Sequence, residues 1–433
     1  MKRSLKLLTA GLCVLGLTAA AAFGFLRYQN QRTQTILGLT AEQKLQDFDA
    51  LCTLLDRNYP FWKEAEQAGL NRSELYQSAR EEIARTDTDI AYFKEIGQFL
   101  GEFQGLGHLS VLDGSMYRLY LDTLESGSSL LSDREQDSIA MIRSVLESPA
   151  VQHTYSLLDQ SHTGFRSTIG LKAEYQSGAE NSVPAAESSG ITSEILADGS
   201  AAYLKIDSFA LTGYEAAQAE LENFFAEIRQ VPNLIIDLRG NGGGSDRYWE
   251  DLLVRPNAAR RLHSERWYLL NLTEETRAYL DTLGLTAQEI SALPDNLQPA
   301  AEGFTHCVCG VTEFEPAPSP YPGKIWVLVD EGVYSASENF AAFCKNTGFA
   351  TLVGEPTGGD GGIADPMLFA LPESGLVVRF SVFYGLNADG SGNEAAGTQP
   401  DYTVSEGDDA LASCLSLIGG EASADPPAKY TNF

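Results

Sequence analysis

The sequence predicts an α/β protein in which a core of parallel strands with helical crossovers follows a mostly helical N-terminal region. Three observations lead there. From about residue 200, strand-like and helix-like stretches alternate: AAYLKID, a helix from Tyr214 to Gln230, NLIIDLR, a helix after the glycines, KIWVLVD, a helix from Ser335, and FATLVG. Residues 40–103 instead repeat apolar side chains at helical spacing. Between the two regions, residues 176–193 (QSGAENSVPAAESSGITS) have the Ser, Gly, Pro and Ala content of a linker.

The expected organisation is a cytoplasmic n-region at 1–6, an apolar segment at 7–26, a mostly helical domain at 38–175, the linker at 176–193, an α/β domain at 194–420 and a flexible tail at 421–433. The apolar segment, LLTAGLCVLGLTAAAAFGFL, carries no charge and is long enough to cross about 30 Å of hydrocarbon as a helix. Lys2, Arg3 and Lys6 precede it, which puts the N-terminus inside and the body outside the cytoplasm. We expect an uncleaved single-pass anchor in the cell membrane. Ala20-x-Ala22 also satisfies a signal-peptidase pattern, so a secreted product beginning near Phe23 is the alternative. Leu12 before Cys13 disfavours a lipoprotein.

Charge limits the partners. The net charge of −29 hides five basic and no acidic residues in 1–41, leaving 25 basic against 59 acidic residues beyond, or −34. Such a body repels nucleic acid and anionic lipid surfaces. The cysteines show no repeated metal spacing, and Cys307-x-Cys309 after His306 reads as a loop or hairpin. Cys52 and Cys344 fall on apolar helix faces and read as core. No metal or organic cofactor is expected.

Along the N-terminal region, Thr40 can cap a helix carrying Leu45, Phe48, Leu51, Cys52 and Leu55, which the chain leaves at Asn58-Tyr59-Pro60. A helical pair follows. Its last member starts near Thr88, repeats Ile90, Phe93, Ile96, Phe99, Leu100 and Phe103, and ends at Gly105-Leu106-Gly107, which delivers His108. Residues 114–160 read as mostly helical. Residues 255–322, charged and Pro-rich, interrupt the strand–helix alternation as an excursion that caps the site; FALPESGLVVRFSVF reads as a hairpin, and a last helix follows Asp408.

YLKIDSF, LIIDLRGNGGG, VYSASENFAAF, LVGEPTGG and AAGTQPDYTV, in this order over roughly residues 200–405, resemble the carboxyl-terminal processing and tricorn core serine peptidases, with weaker helical similarity over 41–113. The resemblance implies a crotonase-like β-β-α spiral core and hydrolysis of protein or peptide chains; no PDZ domain of the kind many members carry is evident. It maps the nucleophile to Ser335. A hydroxyl at a helix start has a positive end-field for a developing oxyanion, with the Ala336 N–H as a natural donor. Ser337 is the rival nucleophile, and a mere N-cap the bland reading of Ser335.

The processing branch pairs its serine with a lysine, but the matching position here is Asp360, which cannot act as that base. The tricorn-like branch uses Ser, His and Glu. By that resemblance His108, in GLGHLSVLD, is the base and Glu394, in GSGNEAAGTQPD, is the acid that orients it. Asp360 is then expected to be dispensable. His162, in DQSHTGF, competes as base; Ser110 is a possible support for His108; Glu394 could instead be a solvated loop residue. The oxyanion hole should combine the Ala336 N–H with that of Gly243 or Gly244, while Asp237 and Arg239 brace the glycine turn. Two competitors stand beside this reading: a Ser-Lys-type peptidase with a structural histidine, and a catalytically silent peptide-binding module.

Overall fold

A computed structural model describes residues 36–125, 141–160, 189–405 and 407–421. The apolar segment at 7–26, His162, most of the linker and the tail beyond residue 421 lie outside these residues. Among the described residues no helix is long and apolar enough to cross a membrane.

The centre is a six-stranded sheet of β2 (Ile191–Ile195), β3 (Ala202–Ile206), β4 (Asn233–Asp237), β8 (Lys324–Val329), β9 (Thr351–Gly354) and β13 (Tyr402–Thr403), in the order β13-β9-β8-β4-β3-β2. All neighbours are parallel except β2 and β3. This is the sheet that the alternation predicts. β4 and β8 read LIID and IWVLV because both of their faces are covered, which leaves no polar alternation. Helices Tyr214–Glu227 and Ala336–Thr347 pack Leu221, Phe224, Phe340 and Phe343 into one side, and helix Ala410–Glu421 brings Cys414 and Ile418 to the core around Trp326 and Val353.

Residues 255–322 contribute ordered strands. β5 (Leu262–Leu270) and β7 (His306–Phe314) pair antiparallel over nine residues and, with β6 (Gln288–Glu289) and β12 (Tyr384–Gly385), form a four-stranded sheet. Cys307 and Cys309 sit in β7. The third sheet pairs β10 (Met367–Ala370) with β11 (Val377–Phe380) as the expected hairpin, and β1 (Ser110–Val111) joins β11.

That β1–β11 pairing fixes where His108 goes. Thr40 caps helix Ala41–Asn58 in a capping box with Gln43, and Thr88 caps helix Asp89–Gly101. Phe48, Phe93, Phe99 and Phe103 from these helices and their exits share a single hydrophobic core with Leu376, Val378, Phe380 and Phe383. Asp47, buried on the first helix, accepts the N–H groups of Glu373 at 2.6 Å and Ser374 at 2.9 Å in the β10–β11 turn. The helical region is therefore bound to the C-terminal hairpin on both sides of the β1 segment, and the residues just before β1 are held at the edge of the α/β core.

Candidate active site

β8 ends at Val329, and after a short turn helix Ala336–Thr347 begins. Ser335 stands between them with φ 58° and ψ −121° and makes no side-chain cap hydrogen bond. Left-handed φ is costly for a residue with a Cβ, about 1–3 kcal/mol, and a capping serine would be extended, with its hydroxyl turned onto the first turn. Ser335 has neither property. It is a strained strand-to-helix turn of the type that lifts a nucleophile out of the backbone. Ser337 is fully buried and its Oγ donates to Asn241 Oδ1 at 2.6 Å, so the rival hydroxyl is already engaged.

The glycine turn is fastened to this helix. Asn241 Oδ1 also accepts the Gly243 N–H at 3.0 Å, and its Nδ2 donates to Ile206 O at 3.0 Å. This corrects the expectation that the Gly243 N–H could face an oxyanion. Gly243 is needed for close approach instead: at φ 101°, a Cβ there would lie 2.7 Å from Tyr334 O and 2.9 Å from Ala336 N. Gly244 and Ala336 remain at the wall of the cavity that Ser335 lines. Asp237 and Arg239 do brace the strand end, with bonds of 2.9 and 2.7 Å, and Tyr203 donates to the same carboxylate at 2.7 Å.

His108 closes the short helical turn Leu106–His108 at φ 61°. Its ring centroid is 5.1 Å from that of Tyr334, and it lines the same cavity of about 260 Å³ as Ser335, Ala336, Gly244, Asp360 and Ile363. The carboxyl against its Nδ1 belongs to Asp360, through Oδ2, which also accepts the Tyr334 hydroxyl at 3.0 Å. The position read as that of an absent lysine thus supplies the acid that touches the histidine. Glu394 does not reach the ring. It is buried beside Asp360, and its Oε1 accepts the N–H of Gly107 at 2.9 Å. Ser110 also misses the ring: its Oγ donates to the His108 carbonyl at 3.1 Å and accepts from Arg379 at 3.2 Å.

Glu338, three residues past Ser335, has no role in the sequence reading, yet it ties together the segments around Asp360 and Glu394. It is fully buried in helix Ala336–Thr347 and accepts from the Thr357 hydroxyl, from Asn393 Nδ2 at 2.5 Å and from the Thr398 hydroxyl at 2.5 Å. Asn393 Oδ1 in turn accepts the Gly361 N–H at 2.9 Å. Segments 357–361 and 393–398 are thereby drawn together, and at Gly359 (φ 85°) a Cβ would strike Asn393 O. A lone Glu after a serine in SASE is the only trace of this hub in the sequence.

Residues 200–404 match peptidase family S41, a span that includes Ser335, Asp360 and Glu394 but not His108. They form a family S41 domain. The chain is accordingly a serine-type peptidase. Its fold is similar to that of a candidate peptidase from Parabacteroides merdae, at 19% identity and TM-score 0.52 over 88% of this chain and 99% of that one. Mature CPAF in complex with lactacystin is similar at 16% identity and TM-score 0.51, over 88% of this chain and 97% of that one. No curated protein matches the chain in sequence.

Proposed function

We propose that the protein is an extracytoplasmic serine endopeptidase, tethered to the membrane through residues 7–26, that cleaves protein or peptide chains without a metal or organic cofactor. One observation carries the reading: Ser335 and His108, each held at a left-handed φ that its residue type disfavours, line one cavity, and the His108 ring is backed by a carboxyl. With Nδ1 against that carboxyl, Nε2 is the nitrogen available to take the Ser335 proton. Ser335 Oγ attacks the scissile carbonyl, and the N–H groups of Ala336 and Gly244 stabilise the oxyanion. His108 returns the proton to the leaving amine, and water then hydrolyses the acyl-enzyme by the same route reversed. The third member comes from the Asp360–Glu394 carboxyl pair.

The pH profile tests the base. A histidine base gives an acid limb in kcat/KM followed by a plateau, whereas a lysine base gives a limb further toward alkaline pH. We expect the former; an alkaline limb alone would rule out the histidine mechanism.

The location follows from the N-terminal charge pattern, and fractionation tests it. Hydrocarbon burial is insensitive to ionic strength, and a body of −34 has no electrostatic reason to adhere to anionic lipid, so the protein should stay with membranes through high-salt and carbonate washes. Release of a product beginning near Phe23 would instead establish cleavage and secretion.

A further inference from the structure

The acid side of the site holds two buried carboxyls where a triad needs one, and Asp360, expected to be dispensable, is the one in contact with the histidine. We propose that Asp360 is the residue that fixes the His108 imidazole, and that Glu394 supports it as a neutral carboxylic acid donating its proton in a hydrogen bond to Asp360. The inference rests on the serine peptidase reading and assigns the roles within it.

The geometry gives Asp360 the first role. Its Oδ2 meets His108 Nδ1 and accepts the Tyr334 hydroxyl, and its side chain is only 4% exposed. Its backbone is also strained. Four non-glycine residues among those described have positive φ, and three of them, His108, Ser335 and Asp360, converge here. Strain persists where the surroundings over-determine it, and it collects at functional sites. Asp360 shares that property with the nucleophile and the base; Glu394 does not.

The protonation of Glu394 follows from what surrounds it. Oε1 takes the Gly107 N–H, but Oε2 is buried with no donor among the described residues. The ionisable groups acting on it are Asp360 and Glu64, and Tyr59 and Tyr384 lie close to the same carboxyls, with His108 beyond Asp360. None of these is a lysine or arginine, and the Arg266 guanidinium, which packs beside Gly361, donates to Asn339 Oδ1 rather than to either carboxyl. Two carboxyls in contact in a dry site cannot both stay ionised without a compensating cation, and a proton on Glu394 converts the repulsion into a hydrogen bond while satisfying the open oxygen. Burial first, then the charge of Asp360, holds the Glu394 carboxyl well above the usual carboxylate range, with the Gly107 N–H opposing. The pair therefore presents one negative charge to one imidazolium. During turnover the Ser335 proton moves to Nε2 and on to the leaving amine, and the Glu394 proton stays in place.

Asp360→Asn and Glu394→Gln separate the roles. Asn can donate to Nδ1 and so favours the wrong tautomer; kcat should fall about 100- to 10,000-fold with KM little changed. Gln preserves the acceptor for Gly107 and a donor toward Asp360, so its loss in kcat should be at least about tenfold smaller than that of Asp360→Asn, with the acid limb of the pH profile in place. A loss in Glu394→Gln equal to or larger than that in Asp360→Asn, or a displaced limb in Glu394→Gln, would overturn the assignment. A second readout needs no turnover: proton NMR in a Ser335→Ala background should show a strongly downfield imidazole Nδ1–H, lost on adding Asp360→Asn and kept on adding Glu394→Gln. The opposite pattern would assign the contact to Glu394. Fluorophosphonate labelling of the wild type reports separately on the peptidase reading, so a failure of one is not mistaken for a failure of the other.

Discussion

Ser335→Ala is expected to lose peptide hydrolysis by about 10,000-fold to 1,000,000-fold and to lose all labelling by a fluorophosphonate. The size follows from the covalent route: without Oγ no acyl-enzyme forms, and only binding and oxyanion contacts remain. His108→Ala should cost a similar factor, and the double variant little more, because the residues act as a unit. Ser337→Ala should remain labelled, since that hydroxyl is committed to Asn241 and turned away from the cavity. Unlabelled wild-type protein that unfolds cooperatively would make the chain a binding module. Label retained on Ser335→Ala would place the nucleophile elsewhere.

The parallel sheet was legible because β4 and β8 are apolar on both faces, a signal that survives without neighbours. The turn at Ser335 was legible too: a strand, a short turn and an amphipathic helix give it a recognisable context. The acid was not. Counting along GEPTGGDGG gives Asp360 its place in the loop but says nothing of where the side chain points. That direction depends on a φ of 54°, on Gly359 admitting the 393–394 backbone, and on Glu338 tying two loops 32 residues apart in sequence. Residues 255–322 were hidden for a related reason. β5 and β7 alternate buried and exposed positions only in part, and their pairing across a long connection leaves no local mark. Gly243 shows the limit of motif reasoning: glycine was required, but for contact with Tyr334 and Ala336 while its N–H turns to Asn241.

Glu338→Ala should show how far the site depends on that hub. The substitution strands three buried donors, those of Thr357, Thr398 and Asn393, and each unmet donor costs about 1–3 kcal/mol, partly recovered where a hydroxyl re-aims. Against this, removing the carboxyl relieves its own burial, which pushes its pKa up while the nearby Arg266 charge and the three donors oppose. The losses exceed the gain, because the donors stay buried after the acid has gone. We expect a net destabilisation of about 3 kcal/mol, read by calorimetry as a fall in Tm of roughly 3–4 °C. Turnover should drop as well at temperatures where the variant is folded, since segments 357–361 and 393–398 would no longer hold Asp360 on His108. Glu338→Gln keeps the shape, still accepts from one side and can donate to the Thr357 hydroxyl, so its loss should be smaller. The sign with pH is also set: a folded-state pKa raised above about 4.5 means that wild-type stability falls as pH rises from there through the raised value, and the Gln variant should lack that fall. An Ala variant with unchanged Tm and unchanged kcat would show that the two loops hold their places without Glu338, and that the acid of this site is positioned by the glycine contacts alone.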